Sequence, residues 1–159
     1  MMEERNRGKP MVTVPLDGDD GRRSGAPALG RLHHVGLTVN DVVASEAWYC
    51  RVLGMERLSL EHHNGGSGHT VLLHRPGGDL DIGLDHHPSH EGERFEERRT
   101  GLDHVSIHVP KRADLDLWTS HLDELDVEHG EITDVTEPFP FATLVFRDPD
   151  NIQLELIWA

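Results

Sequence analysis

From Leu32 onward the chain alternates. Val35, Leu37 and Val39 are apolar, and His34, Gly36 and Thr38 between them are not. That period of two marks a strand with one face buried and one face polar. The phrase Leu-His-His-Val-Gly-Leu-Thr-Val at 32–39 returns as Leu-Asp-His-Val-Ser-Ile-His-Val at 102–109, 70 positions later. Val105, Ile107 and Val109 take the apolar side of the second copy, and His104, Ser106 and His108 the polar side. After each copy the period changes to that of a helix. Residues 41–53 read as a helix with Asn40 or Asp41 as N-cap, Val43, Ala47 and Trp48 as apolar contacts, and Gly54 at the left-handed stop. Residues 112–125 read as a second helix, with Leu115, Trp118, Leu122 and Leu125 on one face.

Three short strands are predicted after each helix: 55–62, 69–75 and 79–85 in the first half, 127–133, 141–147 and 152–158 in the second. The turns joining the last two strands correspond, Arg75-Pro76-Gly77-Gly78 against Asp148-Pro149-Asp150-Asn151. Proline presets φ in each, and Gly or Asn accepts a positive φ. The closing strands align Leu80, Ile82 and Leu84 with Ile152, Leu154 and Leu156, which sets Gly83 against Glu155. The fold class expected is α+β: two repeated βαβββ modules forming a curved half-barrel sheet with the helices outside. A repeat this long, occurring twice, is not a solenoid.

With 159 residues, one compact domain is expected at 30–159, with module one at 31–85, a linker at 86–100 and module two at 101–158. Residues 1–29 are rich in Gly, Pro, Arg and Asp without periodicity and are expected to be a disordered tail. They lack the apolar run of a secretory signal, and no later segment is apolar enough to span a membrane. Cys50 is the single cysteine, so no intrachain disulfide forms, and a cytoplasmic location is expected. A net charge of −14 argues against nucleic acid and anionic membranes as partners. The expected partners are a small-molecule substrate and a second copy of the chain, since half sheets leave edges and apolar surface to cover.

Most of the 13 histidines fall in polar loop-like stretches. His34 and His104 do not: they occupy the same step on the polar face of two equivalent strands. Strand phase puts Glu155 on the polar face of its own strand, between Leu154 and Leu156. Two histidines and a carboxylate form a set that holds a divalent metal with positions left open. Such an ion also offsets the cost of enclosing a carboxylate among apolar neighbours.

Together with Trp-Tyr-Cys-Arg-Val-Leu-Gly-Met at 48–55 and Phe-Arg-Asp-Pro-Asp-Asn-Ile-Gln-Leu-Glu-Leu at 146–156, these segments resemble the vicinal oxygen chelate superfamily over about 31–158. That group includes glyoxalase I, extradiol dioxygenases, fosfomycin-resistance enzymes, methylmalonyl-CoA epimerase and bleomycin-binding proteins. The resemblance implies His34, His104 and Glu155 as metal ligands and bidentate chelation of a substrate through two vicinal oxygens. Dioxygenation, isomerisation or addition would follow. Iron(II) is the favoured ion for oxygen chemistry, with manganese, zinc or nickel as alternatives. In glyoxalase I a further glutamate stands where this chain has Gly83; Asp81 and Asp85 share its face. The tyrosine and histidine of extradiol enzymes are replaced at the matching positions by Val145 and by Thr136-Glu137-Pro138. His108 and His74 are then the candidate acid–base residues, and Arg147 a candidate contact for an anionic substrate. The reading from a different class is a bleomycin-resistance-type protein that sequesters a small toxic compound without catalysis.

Overall fold

The computed structural model describes residues 27–159. The expected tail at 1–29 therefore lies outside the described residues except for its last three. Module one contains β1 (Val35–Thr38), α1 (Val42–Leu53), β2 (Glu56–His62), β3 (His69–His74) and β4 (Asp81–His86). Module two repeats the order with β5 (Val105–His108), α2 (Arg112–Glu124), β6 (Thr133–Val135), β7 (Phe141–Arg147) and β8 (Gln153–Trp158). Each module makes a four-stranded sheet of its own, β1-β4-β3-β2 and β5-β8-β7-β6. The first and last strands pair parallel in each module, and the other pairs are antiparallel. This is the repeated βαβββ architecture, as two half sheets rather than one closed barrel.

Capping chemistry sets the helices. The Asp41 carboxylate accepts the N–H groups of Val43 and Ala44, both at 3.0 Å, and Gly54 ends α1 at φ 61°. Starting the helix at Val42 turns Val42, Ser45, Tyr49, Val52 and Leu53 inward, while Val43 and Ala47 face solvent. The apolar count alone misplaces this face, because two of its members are polar: the hydroxyls of Tyr49 and Ser45 donate to Asp148 and Asp150. In α2 the Asp114 carboxylate reaches back to the N–H of Lys111 at 2.9 Å, and Leu115 and Leu122 are wholly buried.

The one strand that departs from expectation is β6, predicted at 127–133 and found at Thr133–Val135. After α2, Asp126 takes a positive φ of 55°, and the Val127 N–H closes back onto the Leu122 carbonyl. Pairing with β7 begins as a single bridge, His129 to Phe146. It resumes at Thr133 opposite Thr143, one residue out of step. The extra residue is a bulge. The register of β2 also slips, between Arg57 and Ser59, so the edge strand after the helix is irregular in both modules.

A continuous apolar core runs through both modules, with Leu37, Leu73, Ile82 and Leu84 from one sheet and Leu144, Leu154 and Leu156 from the other. Truncating a fully buried leucine of this kind costs about 2–5 kcal/mol. The modules meet along their helices and turns. Trp48 of α1 stacks on Phe146 of β7 at a ring separation of 6.3 Å. Asp150 accepts from the Asn40 N–H and the Ser45 hydroxyl, and the His121 Nε2–H donates to the Val52 carbonyl. The linker docks on the β7–β8 turn, where the Phe95 N–H donates to the Asp150 carbonyl and Asn151 returns a bond to Phe95. Among the described residues no helix is long and apolar enough to cross a membrane.

Candidate metal centre

Strand alternation leaves the polar face of each sheet open. In β5, Val105 is buried while Ser106 and His108 are exposed; in β8, Leu154 and Leu156 are buried with Glu155 between them on the other side. Register then fixes neighbours: Ser106 stands opposite Glu155, and Gly36 opposite Gly83. His104 and His34 each sit one residue before the first strand of their module.

Two contacts hold His104. Its Nδ1 lies 2.7 Å from Asp103 Oδ1, so it carries the proton and donates. Its Nε2 is 3.8 Å from Glu155 Oε1. Glu155 Oε1 also accepts the Ser106 hydroxyl at 2.7 Å. Tying Nδ1 to a carboxylate leaves the Nε2 lone pair for a ligand, the usual outer support of a metal-binding histidine. His34 is also contacted at Nδ1 by the residue before it: its Nδ1 is 2.8 Å from Nδ1 of His33, and its Nε2 lone pair is free in the tautomer in which His34 is the donor. The Cδ2 atom of His34, next to Nε2, points over Gly83. In each copy the preceding residue, His33 or Asp103, contacts the ring at Nδ1. Neither position stands out from alternation alone. The signal was available in the repeat itself, since both sit one place before the paired histidines.

Within one chain the structure brings His104 and Glu155 together and leaves His34 on the other sheet. Among the described residues no three His, Cys, Asp or Glu side chains converge closely enough to grip an ion. The donors fit a divalent cation in kind, two imidazoles and one carboxylate, but they are divided between two half sites.

The remaining candidates lie apart from these donors. His74 shares the polar face of His34, in register with Asp81, and its Nδ1 bonds Asp81 Oδ1 at 2.6 Å. His108 is exposed at the end of β5; it is four strand steps from His104, about 13 Å. The Arg147 guanidinium is occupied by Glu97, Gln153 and the Asn151 carbonyl at 2.9–3.3 Å, so its charge is already met. A backbone N–H and that guanidinium hold the Glu97 carboxyl below its ordinary range. Cys50 is half-buried, and burial, assisted by Glu46, pushes its thiol up and away from the nucleophilic form.

A buried acidic pair lies behind the site. Asp148 is 5% exposed; it accepts the N–H groups of Asp150 and Ile152 on one oxygen and the Tyr49 hydroxyl on the other. Burial pushes its carboxyl up to about 6 against the lowering effect of those bonds. The Tyr49 hydroxyl rises well above its usual range, first by burial and then by the Asp148 charge.

Known proteins share this arrangement of strands and helices. A glyoxylase/bleomycin resistance protein/dioxygenase domain from Frankia sp. EAN1pec shares 32% identity over 83% of this chain and 99% of its own, with a TM-score of 0.72. The genomically encoded fosfomycin resistance protein FosX from Listeria monocytogenes, solved with Mn(II) and sulfate, has the same fold. It shows 20% identity, 83% and 94% coverage and a TM-score of 0.59. So does lactoylglutathione lyase from Agrobacterium tumefaciens, at 18% identity, 84% and 96% coverage and a TM-score of 0.61. No curated protein matches at a significant level. The family model for the Glyoxalase/Bleomycin resistance protein/Dioxygenase superfamily matches residues 31–156, and the chain belongs to that superfamily.

Proposed function

We propose that the protein is a divalent-metal-dependent enzyme that chelates a small oxygenated substrate through two vicinal oxygens, for dioxygenation, isomerisation or addition. The observation that carries this reading is the pair of repeat-related histidines, each contacted at Nδ1 by the residue before it, with Glu155 Oε1 3.8 Å from Nε2 of His104. In this reading His104 and Glu155 of one copy hold the ion with His34 of a second copy in a homodimer. Leu32 and Leu102, the opening residues of the repeated phrase, are 74% and 37% exposed. Covering such paired apolar positions is a reason for two chains to meet on this side.

The ion, iron(II) or another first-row divalent metal such as manganese as in the FosX complex, would act as a Lewis acid on the chelated oxygens. Ser106 and Asp103 orient the donors. The sequestering reading has no need of three metal donors.

Metal content after purification without chelator tests the proposal. Wild-type protein is expected to retain about one divalent ion per chain, and His34→Ala, His104→Ala and Glu155→Ala each to lose it. Co-expressed His34→Ala and Glu155→Ala chains form heterodimers with one intact site, and therefore hold one ion per pair. Undiminished metal in all three variants overturns the assignment. A heterodimer without metal overturns the shared site.

A further inference from the structure

Two glycines on the polar face of module one lack a backbone reason to be there. Gly36 and Gly83 lie inside β1 and β4, directly opposite one another, and neither has a positive φ. Glycine within a strand weakens it, and commonly marks a place where a ligand approaches the backbone closely. Here the reason is the space above them.

A Cβ on Gly83 would lie 3.1 Å from Thr70, 3.6 Å from His34 and 3.8 Å from Asp85 Oδ2; a Cβ on Gly36 would lie 3.0 Å from that same oxygen. The glycine pair thus leaves room for side chains from neighbouring strands, with Asp85 Oδ2 over the bare backbone of Gly36 and the His34 ring over that of Gly83. The other oxygen of Asp85 is anchored. It accepts the Thr70 hydroxyl and lies 3.4 Å from His63 Nε2, whose N–H donates to Thr70 Oγ1 at 2.8 Å. This chain of donors fixes the carboxylate's orientation and leaves Oδ2 without a protein partner among the described residues. Glu61 and Asp81 share this face, and among the described residues of the sheet no lysine or arginine does. Apart from the rings of His34, His63 and His74, an anionic group of a ligand meets like charges here; a hydroxyl meets an open acceptor.

We infer that Asp85 Oδ2 accepts a hydrogen bond from an uncharged hydroxyl of the chelated substrate, with Thr70 and His63 as positioning residues. The substrate class is then a hydroxyl-bearing chelator of the α-hydroxyketone kind, rather than a compound presenting a phosphonate or carboxylate to module one. This rests on the reading of His34 as a ligand of the metal.

The test is an NMR titration of the zinc-loaded, 15N-labelled protein with hydroxyacetone and with methoxyacetone, which keeps both chelating oxygens and lacks the donor. Hydroxyacetone is expected to shift the Gly36 and Gly83 amides and to bind about ten- to a hundredfold more tightly, as a hydrogen bond to a charged acceptor implies. Asp85→Asn should erase that preference with zinc content unchanged. Thr70→Val and His63→Gln should narrow it about threefold, with no further loss when combined with Asp85→Asn. Gly36→Ala, which the backbone accepts, sets a methyl against Oδ2 and should likewise erase the preference for hydroxyacetone. Zinc retained while the two ketones bind alike, or an undiminished preference in Asp85→Asn, overturns the assignment of Asp85. Zinc retained with neither ketone moving the glycine amides overturns it too. A wild-type protein that holds no zinc overturns the metal reading, and this inference with it.

Discussion

The polar faces of the two modules can be set side by side row by row, because their strand registers are the same. The first row of module two, across β5, β8 and β7, is His104, Gln153 and Arg147; in module one it is His34, Asp81 and His74. The second row is Ser106, Glu155 and Val145 against Gly36, Gly83 and Leu72. The third is His108, Ile157 and Thr143 against Thr38, Asp85 and Thr70. The histidine is common to both, and the carboxylate is not. Module two puts it in the middle of the second row, beside its histidine; module one has bare backbone there and carries its acids one row to either side. One scaffold thus presents a face with a histidine beside a carboxylate and a face with a histidine beside an open floor. That division suits one half to grip an ion and the other to receive what the ion binds.

Exchanging the middle residue gives the largest expected effect. Glu155→Ala should lower metal affinity by more than about a hundredfold, since loss of even an outer partner of a ligand costs about 10–100-fold. The reverse exchange, Gly83→Glu, places a carboxylate at the matching position of module one. It should tighten zinc by about tenfold as a fourth donor, and obstruct the floor with the same side chain. Competition against a chromophoric chelator measures both. Equal affinities for wild type and Glu155→Ala would break the comparison at its centre.

Supports of the two histidines come next. Asp103 accepts from His104 through a carboxylate, whereas the Nδ1 atoms of His33 and His34 face each other, so the tautomer of His104 is the more firmly set of the two. Asp103→Asn is expected to weaken zinc binding about tenfold or more, and His33→Gln by only a few-fold. The same competition assay, run on both variants at constant pH, reads the difference. A larger loss in His33→Gln would reverse the order of the two modules.

Much of this is legible in the residues alone. The repeat, the helix stop at Gly54, the positive φ at Gly77 and Asn151, and the pairing of Gly83 with Glu155 follow from alternation and turn chemistry. The misjudged features depend on partners distant in sequence. Ser45 and Tyr49 do not read as core until Asp150 and Asp148, about a hundred residues on, are seen to receive their hydroxyls. The bulge in β6 comes from a turn after α2 that no period reveals. Arg147 reads as a free cation because Glu97 lies in a linker without pattern. The split of His34 from His104 is of the same kind: register places each residue within its own sheet but says nothing of how two sheets meet.

The smallest expected effect separates the two turns that close the modules. Arg75 begins one and caps the end of α1 by donating to the Leu53 carbonyl; Asp148 begins the other and is buried under Tyr49. Asp148 titrates at about 6 in the folded chain, above the ordinary 3.8. Between those values the folded state binds more protons than the unfolded one, so this group's contribution is full below about pH 4 and is lost as pH rises through 6. The loss is about 2 kcal/mol, somewhat under the full linkage value because the burial is incomplete. Asp148→Asn keeps an oxygen for the N–H groups of Asp150 and Ile152, and its amide can donate to the Tyr49 oxygen. Relative to wild type it should therefore gain about 2 kcal/mol in urea unfolding between about pH 4 and 7. Arg75→Gln should shift stability by one constant amount over that range, because the guanidinium does not titrate there. A pH-independent difference for Asp148→Asn would place its charge in contact with water, and the two turns would then differ in shape alone.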